Sequence, residues 1–148
     1  MICLGNICRS PIAEAVFQHV IKERGLEDSW FVDSAATSTE HVGGGPDHRA
    51  TSVLRKHGIN YNHTVRQLKA DDFNKFDWIF GMDESNIRNI ERKRPKNSKA
   101  VVQLLGEYHP NGKCIIRDPY YDYGEEGFEE CYQRCVASVN RFLDEHHK

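Results

Sequence analysis

No stretch of this sequence approaches the roughly 18 consecutive apolar residues that a membrane-spanning helix needs. Nor does any basic stretch followed by an apolar core resemble a secretory signal, so a cytoplasmic, reducing location is expected. Excess positive charge is also missing: 20 basic residues against 22 acidic ones leave a net charge of −2 with histidines neutral. That balance offers no footprint for nucleic acid or an anionic lipid surface. Repeats, low-complexity tracts and linkers are lacking, which points to one globular domain over residues 1–148. The cysteines number five, and an odd count without an export signal argues against a disulfide framework.

What is present alternates between strand and helix patterns, the signature of an α/β fold with a mainly parallel sheet. Ser10-Pro11 reads as a helix start, with a capping serine and proline at the first helical position. Ile12, Ala15, Val16 and Val20 continue at helical spacing until Gly25. Trp30-Phe31-Val32 reads as a strand, and Gly43 to Pro46 as a loop. A helix is expected from Asp47 to His57, stopped by Gly58. Asp77 to Met82 reads as a buried strand, Ser85 to Lys93 as a helix and Ala100 to Leu105 as a strand. A long loop from Gly106 to Gly124 leads to a C-terminal helix carrying Phe128, Tyr132, Cys135, Val139 and Phe142. Cys114, Cys131 and Cys135 read as packing residues. Only Met1 and Ile2 precede the first loop, where such a sheet normally has a strand of about five residues. The first strand is therefore expected to be truncated.

The segment Cys3-Leu4-Gly5-Asn6-Ile7-Cys8-Arg9-Ser10 sets a cysteine and an arginine around a tight loop before that helix start. Unpaired N–H groups and the positive dipole end at a helix N-terminus make such a loop an anion cradle. Gly5 and Asn6 are residue types that tolerate the left-handed backbone needed to curl around a phosphate. Arg9 offers a planar fork that matches two phosphate oxygens. The same donors favour the thiolate form of Cys3, which becomes a nucleophile aimed at phosphorus. Ser10 is placed to donate its hydroxyl to that sulfur while capping the helix. A phosphate ester also needs an acid for its leaving group, and Asp118 in Asp118-Pro119-Tyr120-Tyr121 is the candidate. An Asp-Pro turn alone is an ordinary structural device; its weight here comes from the combination.

Cys3 to Pro11, Asp83 after Met82, and Asp118 to Tyr121 together resemble the low-molecular-weight protein tyrosine phosphatase family, over essentially the whole chain. The resemblance implies an α/β fold with a four-stranded parallel sheet and helices on both faces. It implies hydrolysis of phosphotyrosine and small aryl phosphates through a phosphocysteine intermediate, with no metal or other cofactor. Cys3 resembles the nucleophile, Arg9 the phosphate clamp and Asp118 the general acid and base. Leu4, Gly5, Asn6, Ile7, Cys8 and Ser10 resemble the phosphate-binding loop. Ser34 and His63 match residues that support Asn6, and Cys8 matches a redox partner of the nucleophile. Tyr120 and Tyr121 match the substrate rim, where Glu40 and His41 stand in a stretch that carries a bulky aromatic wall in some relatives. Expected partners are phosphotyrosine proteins or peptides, with phosphate and other oxyanions as inhibitors and a monomeric chain.

Three other readings compete. A thiol-dependent arsenate reductase shares the fold, but its chemistry needs further cysteines near the middle of the chain, and none lies between Cys8 and Cys114. A zinc module using Cys3, Cys8, Cys131 and Cys135 has non-standard spacing and leaves Arg9 and Asp118 unexplained. A non-catalytic phosphotyrosine-binding module should lack the nucleophile or the acid.

Overall fold

The computed structural model describes residues 1–147. Its elements run β1 (Ile2–Cys3), α1 (Arg9–Glu23), β2 (Ala35–Ala36), α2 (His48–Lys56), α3 (Asp72–Lys75), β3 (Trp78–Gly81), α4 (Glu84–Lys93), β4 (Val101–Leu104) and α5 (Glu126–His146). A single 3₁₀ turn, Leu105–Tyr108, follows β4. Among the described residues the strands form one four-stranded sheet in the order β2-β1-β3-β4, every pair parallel. Parallel strands require crossovers, which α1 and the following helices supply on the two faces.

Alternate strand residues divide the core. Phe80 joins Ile12, Val16, Phe17, Leu54, Phe128, Val139 and Phe142 in a cluster built from α1, α2 and α5. Ile79 and Ile2 point the other way, to Phe73 of α3 and Ile90 of α4. Burial on both faces explains why 77–82 is an unbroken apolar run rather than an alternating one. Cys131 and Cys135 are buried in the first cluster, and Cys114 is half-buried.

Local chemistry sets the helix ends. The Asp47 carboxylate caps α2 by accepting from the Arg49 N–H at 2.9 Å, and Gly58, at φ +79°, turns the chain out of it. Asp83 and Asn86 form a reciprocal capping box on α4.

Two expectations are corrected. The first helix starts two residues early, at Arg9, with Cys8 at the cap position and no side-chain capping bond. Ser10 lies inside the first turn, so its hydroxyl is released for the loop. Trp30-Phe31-Val32 is not a strand; the second strand is Ala35–Ala36. A strand exists only where a neighbour supplies the ladder, and β1 offers Ile2 and Cys3 alone, paired with Ala35 and Ala36. Trp30 instead packs edge-on against Phe17 and Phe142.

Candidate active site

Cys3 ends β1, Arg9 opens α1, and the loop between them wraps the helix N-terminus. The Cys3 sulfur is buried and accepts from the Asn6 N–H at 3.3 Å. Ser10 Oγ lies 3.1 Å from the same sulfur and accepts from Asn6 Nδ2 at 2.8 Å. With its lone pairs so engaged, the Ser10 proton is free to point at Cys3.

Asn6 carries the strained turn, at φ +56°, the only non-glycine with positive φ among the described residues. Gly5 does not share that conformation, so the expectation of left-handed backbone there is corrected. Its role is space: a Cβ at Gly5 would lie 3.0 Å from His41 Cδ2. Asn6 is held from two sides. Its Nδ2 donates to Ser34 Oγ at 2.9 Å, and its carbonyl lies 3.0 Å from His63 Nε2. Ser34 and His63 thus both contact Asn6.

The network reaches further than the sequence suggested. Ser34 Oγ donates to Glu14 Oε1 at 2.6 Å, and the Tyr61 hydroxyl donates to the same oxygen at 2.9 Å. Burial and the neighbouring Glu14 carboxylate push the Tyr61 phenol well above its ordinary range, so it serves as a permanent donor. Glu14 did carry a signal, as a lone acid inside the apolar run from Ile12 to Phe17.

Arg9 is buried, and Nη1 donates to Asp83 Oδ2 at 2.6 Å and to the Ile116 carbonyl at 3.0 Å. Burial works against the guanidinium charge, but Cys3, Asp83 and Asp118 outweigh it and strengthen the protonated form. Asp83 therefore both caps α4 and holds the Arg9 guanidinium. Sequence reading marked Asp83 without giving it that role.

Asp118 is 38% exposed; its Oδ1 accepts from the Tyr120 N–H at 3.1 Å and its Oδ2 lies 3.6 Å from Arg9 Nη2. The loop that carries it is tied down by Arg49, which donates to the Tyr120 and Asp122 carbonyls at 2.9 and 2.8 Å. Arg49 also grips Asp47, whose N–H donates to the Ile7 carbonyl at 2.8 Å. Through Asp47, one arginine thus links the Cys3–Ser10 loop to the Asp118–Asp122 loop, a connection invisible in sequence.

Cys3, Arg9 and Asp118 line one cavity of about 170 Å³. Leu4, Ile7, Tyr120 and Tyr121 supply its apolar and aromatic walls, with Glu40 and His41 at the rim. Asn6 and Ser10 sit behind the loop rather than in the cavity. Cys8 also lines it, and burial, reinforced by Asp47, Cys3 and Asp118, pushes that thiol well up. Among the described residues no group of three or more His, Cys, Asp or Glu side chains is placed to hold a metal ion. No helix among them is long and apolar enough to cross a membrane.

A family model described as low molecular weight phosphotyrosine protein phosphatase matches residues 1–148. The chain is 49% identical over 148 residues to the low molecular weight phosphotyrosine protein phosphatase of Gallus gallus, spanning 99% of this chain and 93% of that one. Among solved structures it resembles Primo-1, with a TM-score of 0.94, 47% identity and coverage of 100% and 97%. It also resembles DARP, described as a drosophila arginine phosphatase, with a TM-score of 0.92, 38% identity and coverage of 99% and 96%. With Cys3, Arg9 and Asp118 on one cavity at the start of α1, and with these relatives along its whole length, the chain belongs to the low molecular weight phosphotyrosine protein phosphatase family of phosphoric monoester hydrolases.

Proposed function

We propose that Cys3 attacks the phosphorus of phosphotyrosine while Arg9 and the N–H groups of the loop from Leu4 to Ser10 hold the phosphate oxygens. An S–P bond forms as the P–O bond to tyrosine breaks, and Asp118 passes its proton to the departing phenolic oxygen. The resulting Asp118 carboxylate takes a proton from water, which attacks the phosphocysteine and releases phosphate. The observation that carries this reading is the convergence of Cys3, Arg9 and Asp118 on one cavity at the start of α1. Ser34 and His63, through Asn6, keep the loop in its cradle shape. No metal or other cofactor enters these steps, so a chelator should leave turnover unchanged. The substrates are phosphotyrosine proteins or peptides and small aryl phosphates, met in the cytoplasm by a monomeric enzyme, and free phosphate and other oxyanions compete for the cradle.

The walls made by Leu4, Ile7, Tyr120 and Tyr121 favour a flat ring over a short aliphatic ester. The test is kcat/KM on matched peptides carrying phosphotyrosine, phosphoserine or phosphoarginine, the last because one neighbour is described as an arginine phosphatase. Phosphotyrosine should lead; a lead for phosphoarginine would reassign the substrate.

Glu40 places a carboxylate at the mouth of the cavity. Basic residues flanking phosphotyrosine should then raise kcat/KM several-fold at low salt, and added salt should screen the effect. Glu40→Gln should erase the preference while kcat on a small aryl phosphate stays the same. Equal peptide preference in both proteins would reduce Glu40 to a solvated loop residue.

Peroxide should inactivate the enzyme reversibly. Cys3 is oxidised to a sulfenic acid, the Cys8 sulfur displaces its oxygen as water, and a disulfide results. Because burial holds Cys8 as a thiol, it does not compete with Cys3 for the oxidant. In Cys8→Ser, recovery under thiol reductant should be slower and incomplete. Mass spectra of oxidised wild type lacking a Cys3–Cys8 linkage would count against the scheme.

A further inference from the structure

Averaged over the chain, a net charge of −2 repels an anionic surface; the distribution of that charge does not. Between Arg88 and Lys99 stand six basic residues against Glu91 alone, all within twelve positions. We propose that this part of the molecule docks on the surface of a bilayer rich in anionic phospholipid, the bases meeting the headgroups and Phe31 entering the interface beside them.

Local structure turns the basic run outward. Ile90 is fully buried beneath α4, and Arg88 and Arg92, one turn apart, stand exposed on the opposite face. Past the helix, Arg94 is used internally: Nη1 pairs with Glu91 Oε1 at 3.2 Å, and Nη2 donates to the Ala100 carbonyl at 2.7 Å. Lys93 donates to the Thr37 carbonyl at 3.1 Å. The turn pinned by Arg94 leaves Lys96 and Lys99 exposed. The one acid of the run is thus already engaged. Among the described residues Arg88, Arg92, Lys96 and Lys99 form no ion pair. Such a cluster repels itself, and an opposing anionic surface relieves the repulsion.

The fold gathers more at the same end. Val101, the first residue of β4, pairs with Trp78, the first of β3, whereas the catalytic loop leaves the last residue of β1. Because all strands are parallel, Lys99 and Val101 lie at the end of the sheet away from Cys3. Phe76, just before β3, packs in the same cluster as Ile90 and Ala100, and Phe31 stacks on it with ring centroids 5.9 Å apart. Phe31 is 66% exposed, and Lys75 Nζ stands 5.1 Å from its ring. An exposed aromatic ring beneath an ammonium group suits the boundary between headgroups and acyl chains. Val101, 45% exposed, adds a second apolar side chain at this end. Exposed Asp71 and Asp77 are close in sequence to Lys75 but are outnumbered by it and the four unpaired bases. Exposed Glu27 and Asp28 follow α1, between Leu26 and Trp30, which pack on the other face of the sheet. Nucleic acid is the poorer fit, because residues 88–99 hold no aromatic side chain on which a base could stack. A molecule docked this way points its catalytic cavity away from the lipid.

The experiment measures co-sedimentation of the full chain with vesicles of phosphatidylcholine, either alone or with about a third of the lipid replaced by phosphatidylserine. Binding should require phosphatidylserine and fall steeply as salt is raised. The triple variant Arg92→Gln, Lys96→Gln, Lys99→Gln should weaken it by about tenfold or more at low salt. Lys96→Arg with Lys99→Arg keeps the charge and should bind as the wild type does. Phe31→Ser should weaken binding by about threefold or more and leave the remainder more sensitive to salt. All of these proteins should turn over a small aryl phosphate at the wild-type rate, since none of the altered residues lines the catalytic cavity. Equal binding to both kinds of vesicle, binding to neither, or a triple variant that binds as the wild type does would overturn the proposal. So would loss of binding in the charge-keeping variant, or a nucleic-acid duplex bound more tightly than the anionic vesicles at the same salt.

Discussion

Replacing Cys3 by serine is expected to lower turnover of an aryl phosphate by about ten-thousand-fold or more, to background. The loop is built to receive a sulfur anion: the Asn6 N–H and the Ser10 hydroxyl both converge on it, and Arg9 is charged beside it. A serine hydroxyl is a far weaker acid and a poorer nucleophile than the thiol it replaces. Binding should survive. Arg9 stays clamped by Asp83 at 2.6 Å, and the helix N-terminus is unaltered. Phosphate affinity should be retained, because the donors that hold the phosphate are unchanged. Inhibition constants for inorganic phosphate and calorimetry with an oxyanion would read this directly. More than a trace of turnover in Cys3→Ser would show that no phosphocysteine lies on the path. Persistence of wild-type turnover in chelator is the matching control.

The second large effect concerns Asp118. Asparagine is nearly isosteric and keeps an oxygen to accept from the Tyr120 N–H, so the loop should hold its place. What disappears is the proton for the leaving oxygen. Without it tyrosine must leave as a phenolate, a poor leaving group, and cleavage in Asp118→Asn should slow by about a hundredfold to a thousandfold. An ester whose phenol is already acidic needs little help, and its loss should be much smaller. The steepness of rate against leaving-group acidity should therefore increase in the variant. In the proposed scheme Asp118 also serves the second step as a base, so steady-state rates would mix two losses. Single-turnover measurement of phenol release isolates the first. Equal losses across the leaving-group series on that step would remove Asp118 from the acid role.

The contrast between these residues and those around them shows what could be read in advance. Cys3 and Arg9 stand six positions apart on one continuous segment, and a helix start follows at once. Their geometry depends on the local turn alone, so the pattern carries it. Asp118 was a candidate from its Asp-Pro turn once the cradle called for an acid, whereas Ser34 and His63 became legible only through the resemblance of the whole chain to a known family. Glu14, Tyr61, Asp83 and Arg49 stayed unassigned because their partners are distant in sequence. Arg9 meets Asp83 across 74 positions, Tyr61 meets Glu14 across 47, and Arg49 meets the acid loop across more than 70.

By itself the sequence determined the alternation of strands and helices, the helix stops at Gly25 and Gly58, the buried strand at 77–82 and the tight loop from Cys3 to Ser10 before a helix start. All of these follow from short-range backbone geometry and hydrophobic spacing, which act within a few residues. Tertiary structure alone decided where the second strand falls. Val32 and Ala35 are both acceptable strand residues, but only Ala35 and Ala36 find a neighbour in β1. It also decided what Ser10 does. A serine before proline suits a helix cap, yet helix α1 begins at Arg9, and the hydroxyl turns to Cys3 because Asn6, pinned by Ser34 and His63, brings the loop over it. Strand pairing and buried hydrogen bonds are satisfied between segments, and a side chain's role is set by which partner the fold brings within about 3 Å.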